Sequence, residues 1–225
     1  MNPLISAQQA YFFKTHGYLE LEEVLSPSEC SELQEHIDAA LLSRVKKSLS
    51  RVPEESLYLQ GRDLWRIQES LKTLLLSKKM TNIALALANK PSLYLAFDQW
   101  IPPLSWSEPS KAKDLFSIQG LACIYLIRLS APKEIEALKP TFGTEPGLIP
   151  LPTARGSLLA INPQLLLNLP KLSLYSASLY AVGYALDEAV YFHNAKDPCN
   201  HQLKDLGYHF GDRLTHKNHP QIRKY

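Results

Sequence analysis

The chain has 225 residues, 45% of them hydrophobic and 20% charged, a globular balance that can bury one large core and excludes extensive disorder. A formal net charge of +2 is too small to imply a nucleic-acid partner by itself. The chain opens without a basic segment followed by an apolar one, and no apolar run is long enough to span a bilayer, so a soluble cytoplasmic protein with no membrane partner is expected.

Residues 5 to 16 read as a helix with Tyr11, Phe12 and Phe13 as its apolar face, and Gly17 is placed to end it in a left-handed cap. Tyr18 to Glu22 alternates as a short strand. Ser26, Pro27 and Glu29 have the spacing of a capping box with proline at the first helical position. The helix they open aligns Cys30, Leu33, Ile37, Ala40 and Leu41 on one stripe. Residues 44 to 62 read as a surface connection with at most a short helical turn, and Arg44, Lys46, Lys47 and Arg51 as its solvated basic cluster.

Leu64 to Ser77 and Met80 to Asn89 read as two helices, after which Pro91 forces an extended segment. That segment, Ser92 to Ile101, is a strand with Leu93, Leu95, Phe97 and Gln99 on one face and Tyr94, Ala96, Asp98 and Trp100 on the other. The proline-containing stretch from 101 to 114 is a stiff connection or a pocket cover. Leu115 to Gln119, Leu121 to Leu129, Gly156 to Ile161 and Leu179 to Leu186 read as short apolar strands, and Asp197 to Leu206 as a late helix. Helices early and strands late predict one α+β domain over 1–225, mainly helical to residue 91, strand-rich from 92 to 192, with a helix and a basic, histidine-containing tail over 193–225.

Ala10 to Leu21, with Val24 to Cys30 and Leu33 to Asp38, resembles the N-terminus of phytanoyl-CoA dioxygenase-like proteins, a branch of the Fe(II)/2-oxoglutarate-dependent oxygenase superfamily. Leu93 to Trp100 is similar to that family's first long strand, and Gly156 to Ile161 to its late strand. The resemblance implies a double-stranded β-helix, a jelly-roll core with the N-terminal helices packed on one sheet. It also implies iron held by a His-x-Asp/Glu pair and a distant histidine, with an arginine clamping 2-oxoglutarate. The pair falls on Ser117-Ile118-Gln119 and the distant histidine on Leu167, whose side chains are poor donors to iron or none at all. No histidine lies between His36 and His193, and no arginine between Gly156 and Phe192.

These absences together predict a catalytically degenerate protein, a pseudoenzyme with a binding or regulatory role, for which neither Fe(II) nor 2-oxoglutarate is expected as a cofactor. Ser117, Gln119 and Leu167 are then vestigial metal-site positions. Asp98, Gln99 and Asn168 are the polar groups a surviving pocket would offer to a small molecule or a protein partner. Since neighbouring strand residues face opposite sides, only one of Asp98 and Gln99 can point into such a barrel. One alternative is an active oxygenase with unorthodox ligands. Another is a metal-responsive nucleic-acid binder using His216, His219 and the basic tail, against the simpler reading of a solvated, silent tail. The odd set Cys30, Cys123 and Cys199 fits reduced thiols, and no phosphate-binding loop, Gly-x-Ser-x-Gly elbow or His-Glu-x-x-His helix is present.

Overall fold

Local signals fix both ends of the first helices. In the computed structural model, which describes residues 5–130, 148–149, 151–174 and 177–224, α1 (Ala7–His16) begins at Ser6. There the Ser6 hydroxyl accepts the Gln9 N–H, and the Gln9 side chain accepts the Ser6 N–H in return. The helix ends at Gly17 with φ 78°. Only Phe13 of the predicted aromatic face is buried, and Tyr11 and Phe12 are exposed. Three consecutive helical residues sweep about 200° and cannot share one face. The short strand β1 (Tyr18–Leu21) leads to α2 (Pro27–Val45), which repeats the capping box with Ser26 and Glu29 and buries the predicted stripe from Cys30 to Leu41.

Residues 44 to 62 are more than a connection. They contain a 3-10 turn and α3 (Glu54–Gln60), and Arg44 leaves the expected solvated cluster to donate to the carbonyls of Gln60, Arg62 and Asp63. The helix expected from Leu64 is broken into a 3-10 turn over Leu64–Arg66 and α4 (Glu69–Leu75). There the Trp65 N–H leaves the helical ladder for the Asp98 carboxylate, 3.1 Å away. α5 (Lys78–Ala88) follows, capped by Ser77 and closed by Asn89 in the left-handed region. No helix among the described residues is long and apolar enough to cross a membrane.

The remaining strands are β2 (Ser92–Ile101), β3 (Ser110–Lys111), β4 (Ile118–Arg128), β5 (Leu148–Ile149), β6 (Leu158–Ile161), β7 (Leu166–Leu167), β8 (Leu179–Tyr191) and β9 (Gln221–Arg223). An antiparallel six-stranded sheet runs β1-β6-β4-β8-β2-β9, and a small sheet runs β3-β7-β5 with β5 and β7 parallel. Leu115 does not open a strand: Ala112–Leu115 is a 3-10 turn and β4 starts at Ile118. The late helix is likewise a 3-10 turn, Gln202–Leu206. The expected solvated tail is instead part of the sheet and core, since β9 pairs with β2 and Tyr208, Leu214, His219 and Ile222 are buried.

Two apolar clusters cover the two faces of the large sheet. One joins the helices to Leu93, Leu95, Tyr125, Tyr180 and Tyr184, and the other gathers Phe97, Phe116, Ile124, Leu126 and Tyr191. Alternation in β2 fails at one point: a register shift between Leu95 and Phe97 splits the predicted face, leaving Leu93 and Leu95 toward the helices and moving Phe97 to the other side. Phe97 then stacks on Phe116 with ring centroids 3.8 Å apart. Gly183 of β8 permits this, because a Cβ there would lie 2.2 Å from the Phe97 ring. Gly183→Ala is expected to lower the unfolding free energy by about 1–3 kcal/mol in urea titration through overpacking; an unchanged midpoint would show that Phe97 can move aside.

Candidate functional site

The bulge in β2 also sends Gln99 to the Phe97 side, where it meets Arg62 from the segment after α3. The Arg62 guanidinium lies over both stacked rings, its Cζ 5.4 Å from the Phe97 centroid and 4.7 Å from that of Phe116. Its Nε donates to Gln99 Oε1 at 2.6 Å, and its Nη2 to Asp197 Oδ1 at 3.2 Å and to the Leu115 carbonyl at 3.1 Å. Gln99 Nε2 in turn donates to the Tyr58 and Trp100 carbonyls, which fixes the amide. Ser117 Oγ lies 2.8 Å from both Asp197 Oδ2 and Asn200 Oδ1, and the Cys199 N–H closes on Asp197 Oδ1 at 2.9 Å.

Arg62, Gln99, Ser117, Asp197 and Asn200 are all buried. Burial works against the Arg62 charge, but Asp197 first, and with it Cys199, Tyr58 and Asp63, together outweigh it and hold the guanidinium pKa above its ordinary value. Burial raises the nearby Cys199 thiol, so it is no ready nucleophile. The cavity left among Arg62, Phe97, Ser117, Tyr191 and Asp197 is about 10 Å³. That is room for about one water molecule.

Of the residues singled out in the sequence, the structure unites only Ser117 and Gln99, through Arg62 and Asp197. Gln119 is exposed, turned out where β4 changes register beside Gly120 at φ 92°. Leu167 is a core residue of β7, and Asn168 is half-buried with its carbonyl taken by the Lys171 N–H. Asp98 faces the opposite side of the sheet from Gln99, accepting from the Tyr180 hydroxyl and the Trp65 N–H. His216 is exposed, whereas His219 is buried with Nδ1 3.2 Å from the Leu95 carbonyl, so the two are not presented together. Among the described residues no group of three or more His, Cys, Asp and Glu side chains is placed to hold a metal ion. Arg62, Asp197 and Asn200 were missed by sequence reasoning, because Arg62 lies in an apparent connection and the other two in an apparent helix.

The same architecture recurs in solved structures. The chain is similar to SnoK, a non-heme α-ketoglutarate-dependent carbocyclase of nogalamycin biosynthesis, with a TM-score of 0.68 and 15% identity over 97% of this chain and 96% of that one. It is similar to the non-heme α-ketoglutarate-dependent epimerase SnoN of the same biosynthesis, with a TM-score of 0.65 and 14% identity over 96% and 98% of the two chains. For iron-bound EctD from S. alaskensis the TM-score is 0.56, with 13% identity over 82% and 78%. The chain therefore has the mixed α/β fold found in non-heme iron, 2-oxoglutarate-dependent enzymes. No protein-family model and no curated protein sequence matches it.

Proposed function

We propose that this chain is a catalytically degenerate relative of the Fe(II)/2-oxoglutarate oxygenases, close to their phytanoyl-CoA dioxygenase branch and built on a jelly-roll core, which binds rather than oxidises. The observation that carries the reading is the Arg62–Asp197 ion pair at Ser117, where the resemblance places the first iron ligand. The residues present do not fit the metal. Ser117 is a hydroxyl already hydrogen bonded, Gln119 is an exposed amide and Leu167 has no donor atom. The Asp197 carboxylate beside Ser117 is already committed to Arg62, and the remaining space is only about 10 Å³. Losing the groups that merely orient metal ligands costs about 10- to 100-fold in affinity or activity, and here the ligands themselves are missing.

A binding role is supported by a groove beside the closed site. It has a volume of about 300 Å³ and is walled by Tyr58, Leu59, Leu104 and Trp106, with Glu55 at its edge. This is the lower end of the size range of small-molecule sites. Anaerobic titration with Fe(II) and 2-oxoglutarate is the decisive experiment. The expected result is no saturable charge-transfer absorbance and no rise in thermal midpoint; a stoichiometric band would restore the oxygenase reading.

A further inference from the structure

The six-stranded sheet ends at β1, which pairs with β6 on one side and with no strand among the described residues on the other. The Asn162 N–H donates to the Gly17 carbonyl, so in the alternation of an antiparallel ladder Leu19 and Leu21 turn their main-chain groups to β6. The N–H and C=O of Tyr18 and of Glu20 therefore point outward, and none of them has a main-chain partner among the described residues. Beside this edge runs a groove of about 410 Å³, lined by Gln8, Gln9 and Phe12 of α1 and by Tyr18, Leu19 and Glu20 of β1. Its helical wall belongs to an exposed aromatic patch. Tyr11 is 70% and Phe12 37% exposed, and the Phe12 and Tyr18 rings meet edge to face with centroids 5.5 Å apart. An open strand edge next to exposed aromatic side chains is a template for another strand.

The strand that fits is β1 itself. We infer that two copies of this chain join by antiparallel pairing of β1 with β1 across a two-fold axis at Leu19, making one continuous sheet. In that register Tyr18 faces the second copy's Glu20, and the two exchange both main-chain bonds, so every outward group of β1 finds a partner. An axis at Tyr18 or at Glu20 would pair only that residue within β1. Leu19 meets the second copy's Leu19 at the close, non-hydrogen-bonded position, on the helix side of the sheet. The two α1 helices then lie on the same face of the joined sheet, where they cover Tyr11 and Phe12. Charge favours the same partner. The chain carries Lys14 and His16 before β1 and Glu22 and Glu23 after it, all exposed. Antiparallel pairing of identical strands sets the basic end of one copy against the acidic end of the other, with His16 opposite the second copy's Glu22. The pairing holds whether or not the iron reading does.

The test is sedimentation velocity of the full chain over a range of concentrations, with amide hydrogen exchange on the same samples. The expected result is a monomer–dimer equilibrium in which the Tyr18 and Glu20 amides exchange quickly in the dilute chain and become protected as the dimer fills. Glu20→Pro removes an outward N–H and leaves the ladder to β6 intact, since proline is tolerated on the solvent side of an edge strand. It should weaken the dimer by about tenfold or more, because each copy loses a main-chain bond. Phe12→Lys and Tyr11→Lys, at exposed helical positions, should each weaken it by about tenfold and carry the test should Glu20→Pro not fold. A chain that stays monomeric up to about 1 mM leaves this edge to the strand of another protein and overturns the proposal. A dimer that none of the three variants weakens, or one that forms without protecting the Tyr18 and Glu20 amides, has its contact elsewhere and overturns it too.

Discussion

Arg62→Met is expected to destabilise the fold by about 3–5 kcal/mol in urea titration, the cost of stranding one partner of a buried ion pair. Among the described residues Asp197 would keep the Ser117 hydroxyl and the Cys199 N–H as its donors. One further readout separates this from simple loss of packing against Phe97 and Phe116. The double variant Arg62→Met with Asp197→Leu should recover much of the loss, because a buried ion pair replaced by apolar groups of similar volume is often neutral or stabilising. A deficit that the double variant deepens would mean that Arg62 matters for its bulk and not for its charge.

That ion pair was the least legible part of the site in the sequence, for a physical reason. Its partners lie 135 residues apart, and nothing local to either position calls for the other. What was legible was local. Ser26, Pro27 and Glu29 define a helix start within four residues, and the stripe from Cys30 to Leu41 states which side packs. The apolar runs of β2, β6 and β8 were equally plain. The one-residue bulge in β2 was not, since alternation by itself cannot show where it reverses, yet it decides that Phe97 and Gln99 share a face. The same limit hid the tail: Gln221–Arg223 is three residues long and becomes a strand only because β2 offers it an edge.

The Asp98 side of β2 yields the second large effect. Asp98 is fully buried, accepts from the Tyr180 hydroxyl and the Trp65 N–H, and leaves Oδ1 without a partner among the described residues. Burial, reinforced by the neighbouring Asp63 and opposed by Tyr180, Trp65 and Arg44, pushes its pKa from an ordinary 3.8 up to about 7. A carboxyl that binds its proton more tightly when folded stabilises the protein below its unfolded pKa and loses that contribution as pH rises toward 7. His219 acts with the opposite sign. Burial first and then Arg66 push it from an ordinary 6.5 down to about 4, so its contribution is present above pH 6.5 and is lost as pH falls through that window. Between pH 4 and 6.5 the two slopes oppose each other, and the native protein should show a nearly flat stability profile there.

Single substitutions expose the two halves. Asp98→Asn leaves His219 titrating alone, so the variant should gain stability as pH rises, shifting relative to the native chain by on the order of 4 kcal/mol from pH 4 to pH 8. His219→Gln leaves Asp98 alone and should lose stability over the same range. Urea unfolding at half-unit pH intervals measures both, and profiles that run parallel to the native one would show that folding shifts the pKa of neither group. The consequence reaches the other face of the sheet. Asp63, which carries one network, follows Arg62, which carries the other, and both meet the consecutive pair Asp98 and Gln99 of β2. Asp98→Asn at pH 8 should therefore change stability by a different amount in the Arg62→Met background than in the native chain if the segment from 62 to 66 docks as one unit. Additivity of the two changes would make the faces independent.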